Sequence, residues 1–242
     1  MSTEAVELPA EGDVAKEPVK YYSFSVLLSG FARMWRAWRV SLVVVIVNAL
    51  LQAAFIIPST QAIFIPSFIA SVVMSALVLL ASAACVTAAS LDSVTGNATW
   101  ASVMHRIRPR IGRFALWTTG LAVVVVIGQA FGGWPGLVVA ALLPFLLLGV
   151  MAGERNPIAA NFTVILKRPF RWAITLVLIG VVAFFAWIFM AGWWFFVPGV
   201  LGAATSCLLG GLLTWWWSTS LACIYRSVRD GETAAAHDPV AE

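Results

Sequence analysis

Residues 36–57 read RAWRVSLVVVIVNALLQAAFII, a short basic segment with one tryptophan followed by an apolar run that carries no charge. The same order returns at RIGR (residues 110–113) before an apolar run at 114–131, and at RPFR (168–171) before another at 172–190. Each basic motif has the form R-x-x-R, and each run is long enough to cross a bilayer as a helix. The repeat predicts three units that enter a membrane from the same side.

The composition gives the same answer for the whole chain. Only 11% of the residues are charged and 61% are hydrophobic, whereas a soluble domain carries about 25% charged residues. Lipid must therefore be the solvent, because the polar side chains are too few to cover a surface facing water. The net charge of +4 is a topology signal, since the cations lie in loops and terminal segments, and we expect no nucleic-acid partner.

A second apolar run follows each of the three apolar runs that begin after an R-x-x-R motif. We therefore predict an all-α polytopic membrane protein. Its six transmembrane helices form three tandem hairpins, accompanied by interfacial amphipathic helices. The turns inside the hairpins contain no Lys or Arg, so the rule that cytoplasmic loops are positive places both termini in the cytoplasm. The predicted spans are residues 40–57, 63–89, 114–131, 137–153, 172–190 and 200–225.

The charge pattern also divides the chain into segments. Residues 1–20 are acidic and poor in apolar side chains, which predicts a disordered tail, and residues 230–242 form a second polar tail. Residues 21–229 form the six-helix membrane domain. No signal peptide is visible, and we expect the first span to act as an uncleaved insertion signal. Interfacial helices are predicted at 21–39, at 99–113 with a kink at Pro109, and at 158–166.

The cations of these interfacial segments are the first group of candidate site residues. Tryptophans lie among them, a combination that suits anionic lipid headgroups. A simple topology anchor would use the same residues, and the sequence leaves both interpretations open. The candidate headgroup and interface residues are Arg36, Arg39, Arg106, Arg108, Arg110, Arg113, Lys167, Arg168 and Arg171.

Polar side chains inside the spans form the second group. Asn48 and Gln52 are four residues apart on one helical face, and Gln129 lies near the far end of the third span. Such residues either hydrogen-bond between helices or line a polar path. Rows of small residues occur in the second span (Ser71, Ser75, Ala83, Thr87) and in the sixth (Gly202, Ser206, Gly210), where they allow close helix approach.

The residues needed for intramembrane catalysis are largely missing. No predicted span contains Asp, Glu, Lys, Arg or His, and the two histidines, His105 and His237, lie in a loop and a tail. Asp92 and Glu154 lie beside the inner ends of spans, and we interpret them as caps or arginine partners. We therefore expect no enzyme, catalytic residue, cofactor or metal. Cys85, Cys207 and Cys223 show no C-x-x-C spacing and are packing residues.

The layout resembles a known bacterial family. The resemblance rests on a set of features in chain order. These are the basic interfacial helix, the small-residue second span, Ser90-Leu91-Asp92 with Gly96 and Arg110, a fourth span with Leu142-Leu143-Pro144, Glu154, and the amphipathic segment 161–171. These are similar to the YciC-type membrane proteins, and through them to the membrane domain fused to some glycerophosphodiester phosphodiesterases. The resemblance implies a six-helix protein of the bacterial inner membrane and no catalytic residue.

These observations predict a non-enzymatic membrane protein that interacts with lipids or serves as an accessory subunit of an envelope or membrane complex. Its partners would be anionic membrane lipids, together with other membrane proteins. The alternative is a small transporter or channel for an uncharged or amphipathic solute. A continuous polar cavity through Asn48, Gln52 and Gln129 would favour transport, whereas a groove filled by lipid beside the R-x-x-R motifs would favour lipid interaction.

Overall fold

Helices make up nearly all of the chain that a computed structural model describes, namely residues 23–61, 65–130, 138–139, 141–197 and 199–237. Within these ranges there is no strand, which confirms the all-α class. The tail at 1–20 and the turn at 132–136 lie outside them. The elements are α1 (Ser23–Met34), a 3-10 turn (Trp35–Ala37), α2 (Trp38–Gln61), α3 (Ile65–Thr95), α4 (Trp100–Ile107), α5 (Ile111–Ala130), α6 (Leu146–Ala152), α7 (Pro157–Lys167), α8 (Pro169–Phe196) and α9 (Val200–His237).

Five helices among the described residues are long and apolar enough to cross a membrane. Their length decides this, since about 20 residues at 1.5 Å each span the hydrocarbon core. The multi-pass character predicted from the sequence is therefore confirmed. The five candidate spans are Leu28–Phe55, Ile65–Thr95, Ile111–Gly128, Trp172–Trp193 and Val200–Asp230.

The segment predicted as the fourth span, residues 137–153, is not one long helix. Short helical stretches at 138–139 and 141–142 are separated from α6 by a break at Leu143-Pro144-Phe145. Pro144 has no N–H, so it cannot continue the hydrogen-bond ladder. Asn161 of α7 repairs the break: its Nδ2 donates to the Leu142 carbonyl at 2.8 Å and its Oδ1 accepts from the Phe145 N–H at 2.9 Å.

Two helix ends differ from the sequence expectation. We predict a turn at 58–61, whereas α2 continues through Pro58 to Gln61. We predict a disordered tail from Asp230, whereas α9 continues to His237, through a run of alanines that favours helix. Residues 238–242 lie outside the described ranges.

Local capping explains where the short helices α4 and α7 begin and end. Thr99 accepts a hydrogen bond from the Ser102 N–H while the Ser102 hydroxyl accepts from the Thr99 N–H, a capping box that begins α4. Pro109 lies in the turn between α4 and α5, so it ends the helix rather than kinking it. Asn156 caps α7, with Pro157 in its first turn, a position that proline tolerates.

The best-packed part of the protein is the second half of α3, where residues 84 and 86–93 are buried. Helices α2, α3 and α9 pack on one another there, and α4 and α6 also pack on α3. Several of the buried residues are Ala or Ser, which lets helix backbones approach closely. The first half of α3, α5 and α8 instead leave large apolar side chains exposed.

Helix α1 crosses α9 at Gly30. A Cβ placed on Gly30 would lie 3.0 Å from the Ser220 Cα and would overlap the Ser220 hydroxyl. Beyond the crossing, Arg33 Nη1 lies 3.7 Å from the Cys223 sulfur. The sequence predicts a separate interfacial helix at 21–39, whereas α1 packs on α9 and reaches α2 through one 3-10 turn.

The repair at Pro144 predicts a large effect of Asn161→Leu. The substitution leaves the Leu142 carbonyl and the Phe145 N–H without partners in a site where Asn161 is 0% exposed, at about 1–3 kcal/mol for each group. Thermal unfolding of purified protein, followed by tryptophan fluorescence, measures the loss. Asn156→Leu is the matched control, because it removes one exposed cap at about 1 kcal/mol. An equal loss of stability in both variants would contradict the proposed role of Asn161 at the Pro144 break.

The crossing at Gly30 predicts that Gly30→Ala destabilises the fold. The added methyl group forces α1 away from α9, with a cost of about 1–3 kcal/mol for overpacking. Gly120→Ala is the control, since a Cβ there has open space around it and alanine favours helix. The same unfolding assay should show a loss for Gly30→Ala alone, partly restored by Ser220→Gly. No difference between the two glycine variants would show that the contact is unimportant.

Candidate functional site

Contacts between loops gather the cationic segments at one end of the bundle, which we call the basic end. It comprises the 3-10 turn, α4, the α6–α7 loop and the last part of α9. The Ala98 N–H donates to the Arg36 carbonyl at 3.2 Å, and Arg113 donates to the Arg155 carbonyl at 2.7 Å. Glu154 and Arg229 form an ion pair. The R-x-x-R motifs before α2 and α5 thus share one end, although 74 residues separate Arg36 from Arg110.

Several predicted headgroup residues are exposed at the basic end. Arg36, Arg39 and Arg108 are exposed, as is Lys167. The exposed Trp35 and Trp38 lie beside the first two, with the Arg39 guanidinium 5.7 Å from the centre of the Trp38 ring. Cations interleaved with exposed tryptophan are typical of a membrane–water interface.

Other predicted headgroup residues hold the protein together. Arg106 donates to Asp92 Oδ1 from Nε at 2.8 Å and from Nη2 at 2.5 Å. Arg110 donates to the Arg106 carbonyl at 3.2 Å, and Arg113 binds the α6–α7 loop as described above. Arg168 is half-buried, and the side chain of Arg171 lies outside the described part of the chain. Among the predicted cations whose side chains are described, some therefore make contacts within the protein and others are exposed.

The two carboxylates lie in separate clusters. Asp92 pairs with Arg106 between α3 and α4, whereas Glu154 accepts from the Tyr225 hydroxyl at 2.8 Å and pairs with Arg229. Gly153, with φ of +91°, ends α6 and so sets the position of Glu154. Among the described residues, no group of three or more His, Cys, Asp or Glu could hold a metal ion. Each carboxylate thus has a structural role.

A groove opens between α2, α3 and α9 on the side of the molecule away from the basic end. It consists of two adjoining cavities of about 380 Å³ and 310 Å³, and both are lined by Gln52 and Leu79. We call it the intramembrane groove. The larger cavity is lined by Val45, Asn48, Gln52, Leu79, Ser82, Ala83, Val86, Cys207, Gly210, Gly211 and Thr214, and the smaller adds Phe55, Ser71, Val72, Ser75 and Ala76.

The two predicted polar residues of the first span both lie in this groove, and they differ in their bonding. Gln52, 9% exposed, donates to the Ser75 carbonyl at 3.0 Å and accepts from the Ser75 hydroxyl. Asn48 is also 9% exposed, and its buried Oδ1 accepts no hydrogen bond from any described residue. Gln52 therefore joins α2 to α3, whereas Asn48 lines the groove with its Oδ1 buried and without a described partner.

The remaining predicted residues lie elsewhere. Gln129 belongs to α5, whose packing partners are α3 and α6, and its side chain is outside the described part of the chain. Three consecutive tryptophans of α9, whose role the sequence leaves open, also lie in or beside the core: Trp215 is 2% exposed within it, and Trp216 and Trp217 pack against it. Cys85, Cys207 and Cys223 are free thiols.

Sequence reasoning missed three residues that shape these sites. Asn161 and Tyr225 form hydrogen bonds with partners that are distant in the sequence, so no local sequence pattern indicates their roles. Gly211 approaches α2 closely, with its Cβ position 2.7 Å from Val45 Cγ1, and its place beside Gly210 in a row of small residues was a usable signal. Comparisons found no family model, curated protein or solved structure that matches this chain.

Proposed function

We propose that this chain is a non-enzymatic, multi-pass protein of a bacterial inner membrane that binds anionic phospholipids at its basic end. The exposure of Arg36 and Arg39 beside Trp35 and Trp38, together with the exposed Arg108 of the same basic end, carries the proposal. These three residues are exposed, whereas Arg106 donates to Asp92 and Arg113 donates to the Arg155 carbonyl. Each basic group near an anionic surface contributes about 1 kcal/mol, so the exposed set gives a useful preference for anionic headgroups.

The proposed topology has six crossings, with both termini in the cytoplasm. Arg113 near the start of α5 contacts Arg155 after α6, so the chain between them returns to the end from which it left. The 20 residues of α5 are about 30 Å long, the thickness of the hydrocarbon core. The return path runs through residues 138–152, with its broken helix. These contacts support three hairpins, although the fourth crossing is interrupted at Pro144.

Membership of the YciC-type family fits this proposal. The features that carry the resemblance include Asp92, Gly96, Arg110, Pro144 and Glu154. In the structure, Asp92 forms an ion pair with Arg106, and Arg110 donates a hydrogen bond to the Arg106 carbonyl. Glu154 accepts a hydrogen bond from the Tyr225 hydroxyl and forms an ion pair with Arg229. Residues with such structural roles would maintain a shared architecture, which is all that the resemblance implies.

Transport of a solute across the membrane is the weaker proposal. It needs a polar path from one side to the other, and Asn48 and Gln52 lie in a groove formed by α2, α3 and α9. Gln129, the third predicted polar residue, belongs to a helix that packs on α3 and α6 instead. The contacts therefore support lipid binding better than a transport path through all three residues.

Neutralising two exposed arginines tests the lipid proposal. Arg36→Gln combined with Arg108→Gln should reduce the retention of anionic over zwitterionic phospholipid roughly tenfold or more, because two headgroup contacts are lost. Native mass spectrometry of protein from mixed-lipid nanodiscs measures the ratio. Lys16→Gln with Lys20→Gln is the control, since it changes the net charge equally at two residues that do not belong to the exposed set. Equal effects of the two double substitutions would contradict the proposal, because net charge alone would then explain the preference for anionic lipid.

Cysteine labelling tests the topology. In a background without the three native cysteines, His105→Cys and Arg155→Cys should react with a membrane-impermeant maleimide only after cell lysis. Both positions are exposed, and the proposed topology puts both on the cytoplasmic side. Gly133→Cys, in the predicted outer turn, should react in intact cells. Labelling of His105→Cys and Arg155→Cys from opposite sides of the membrane would disprove six crossings.

A further inference from the structure

We propose that an open cavity on α4 binds the phosphate group of an anionic phospholipid through His105 and Arg108, and that this binding strengthens when the pH falls. We call it the α4 cavity. The inference rests on the proposed binding of anionic phospholipids at the basic end. It extends that function by naming the site, a further binding residue and the way in which pH regulates the binding.

The α4 cavity lies on the exposed side of α4. It has a volume of about 770 Å³ and is lined by Ala101, Met104, His105, Arg108 and Pro109. The volume falls within the range of about 300–1,000 Å³ that is typical of small-molecule sites. His105 and Arg108 are three residues apart, so their side chains lie on one face of the helix, and both are exposed. One ligand can therefore contact both side chains.

The lining residues define two parts of the ligand. His105 and Arg108 provide N–H donors, and a guanidinium group suits phosphate because its donors form a planar fork. Ala101, Met104 and Pro109 provide apolar contacts, which a free phosphate ion would not use. A phosphate group joined to glycerol and acyl chains matches both parts, so the cavity suits a phospholipid better than a soluble phosphate.

Contacts near the start of α4 place the cavity beside the other exposed cations of the basic end. The Ala98 N–H, two residues before α4, donates to the Arg36 carbonyl at 3.2 Å. Helix α4 therefore begins beside the 3-10 turn that carries the exposed Trp35 and Arg36. Trp100, the first residue of α4, is exposed as well, as is common at a membrane–water interface. The α4 cavity thus lies where headgroups are expected.

The charges around His105 favour an anionic ligand. Helix α4 packs on α3, and Asp92 is the one carboxylate in the sequences of these two helices. Asp92 already pairs with Arg106, whereas Arg108 lies on the same face as His105 and Arg36 lies beside the start of α4. Histidine gains its positive charge between about pH 8 and pH 5. Acidification would therefore give the α4 cavity a second cation without an unpaired carboxylate from α3 to compete for it.

The test compares the retention of phosphatidylglycerol and phosphatidylcholine by the full-length protein, measured by native mass spectrometry at about pH 6 and about pH 8. Both lipids keep their charge over this interval, because a phosphodiester group is a strong acid. The preference for phosphatidylglycerol should be about three- to fivefold higher at the lower pH, which is the effect of one added basic group near an anionic surface. A preference that does not change with pH would overturn the proposal.

Variants of the two histidines assign the effect. His105→Gln should reduce the change with pH to less than about twofold. His105→Arg should show at both pH values the preference that the unmodified protein shows at the lower one. His237→Gln is the matched control, because His237 is the other histidine of the chain, and it should keep the full change with pH. A full change with pH in His105→Gln, or its loss in His237→Gln, would contradict the role of His105.

A carboxylate placed in the cavity tests the location of the site. Ala101→Glu puts a negative charge one turn before His105 and should lower the preference for phosphatidylglycerol about fivefold at the lower pH. Ala159→Glu is the matched control, because Ala159 is also exposed in the first turn of a short helix, α7, beside the α6–α7 loop. A carboxylate is tolerated in the first turn of either helix. Equal losses in the two variants would contradict the α4 cavity.

The same measurements separate this proposal from the preceding one. A preference for phosphatidylglycerol that Arg36→Gln with Arg108→Gln removes, but that does not rise on acidification, would overturn the role of His105 and support the proposed function. No preference at either pH would overturn the proposed function and the α4 cavity with it. Inorganic phosphate at constant ionic strength should not displace the lipid. Displacement would identify free phosphate as the ligand and overturn the assignment to a phospholipid.

Discussion

The close packing of the second half of α3 is the constraint on which the rest of the structure depends. Lipid chains are as apolar as leucine, so helices in a membrane gain little from burying leucine and must fit closely instead. Ala84, Ala88 and Ser90 are buried at this place, and α2, α4, α6 and α9 pack around them. The first half of α3 instead leaves large side chains such as Phe68 and Leu77 exposed, and its Ser71 and Ser75 line the groove. One helix thus produces both the packed basic end and the groove.

Hydrogen bonds between distant segments complete what packing begins. Ser90 and Thr219 hydroxyls lie 3.2 Å apart between α3 and α9, and Gln52 binds Ser75 between α2 and α3. Asn161 supports the break at Pro144, where irregular backbone is tolerated because protein groups surround it. These polar residues therefore lie where helices meet or break, whereas the buried polar atoms of Ser41, Asn48 and Thr175 have no partner among the described residues.

The sequence predicts the helices well and their interactions poorly, for physical reasons. Composition and periodicity are local, so they locate α7 at Pro157–Lys167 against an expectation of 158–166. Composition and periodicity cannot show that Arg106 and Arg113 bind other parts of the protein while Arg36 and Arg108 are exposed. This difference depends on which loops contact one another in the fold. Pro144 is visible as a potential break, but its partner Asn161 lies 17 residues further on. The groove is hinted at by the rows of small residues and by Asn48, yet its volume depends on how α2, α3 and α9 diverge.

A lipid that enters a groove between helices of membrane-spanning length acts as a thermodynamic ligand of the fold. A molecule that binds only the native state stabilises it by RT ln(1 + [L]/Kd), so stability rises with the local concentration of suitable chains. Extraction into detergent would replace the lipid molecules around the protein with detergent molecules, so the ligand would change while the sequence stays the same. The melting temperature of this protein is therefore a property of the chain and its solvent together, and the choice of amphiphile sets it as directly as a mutation does.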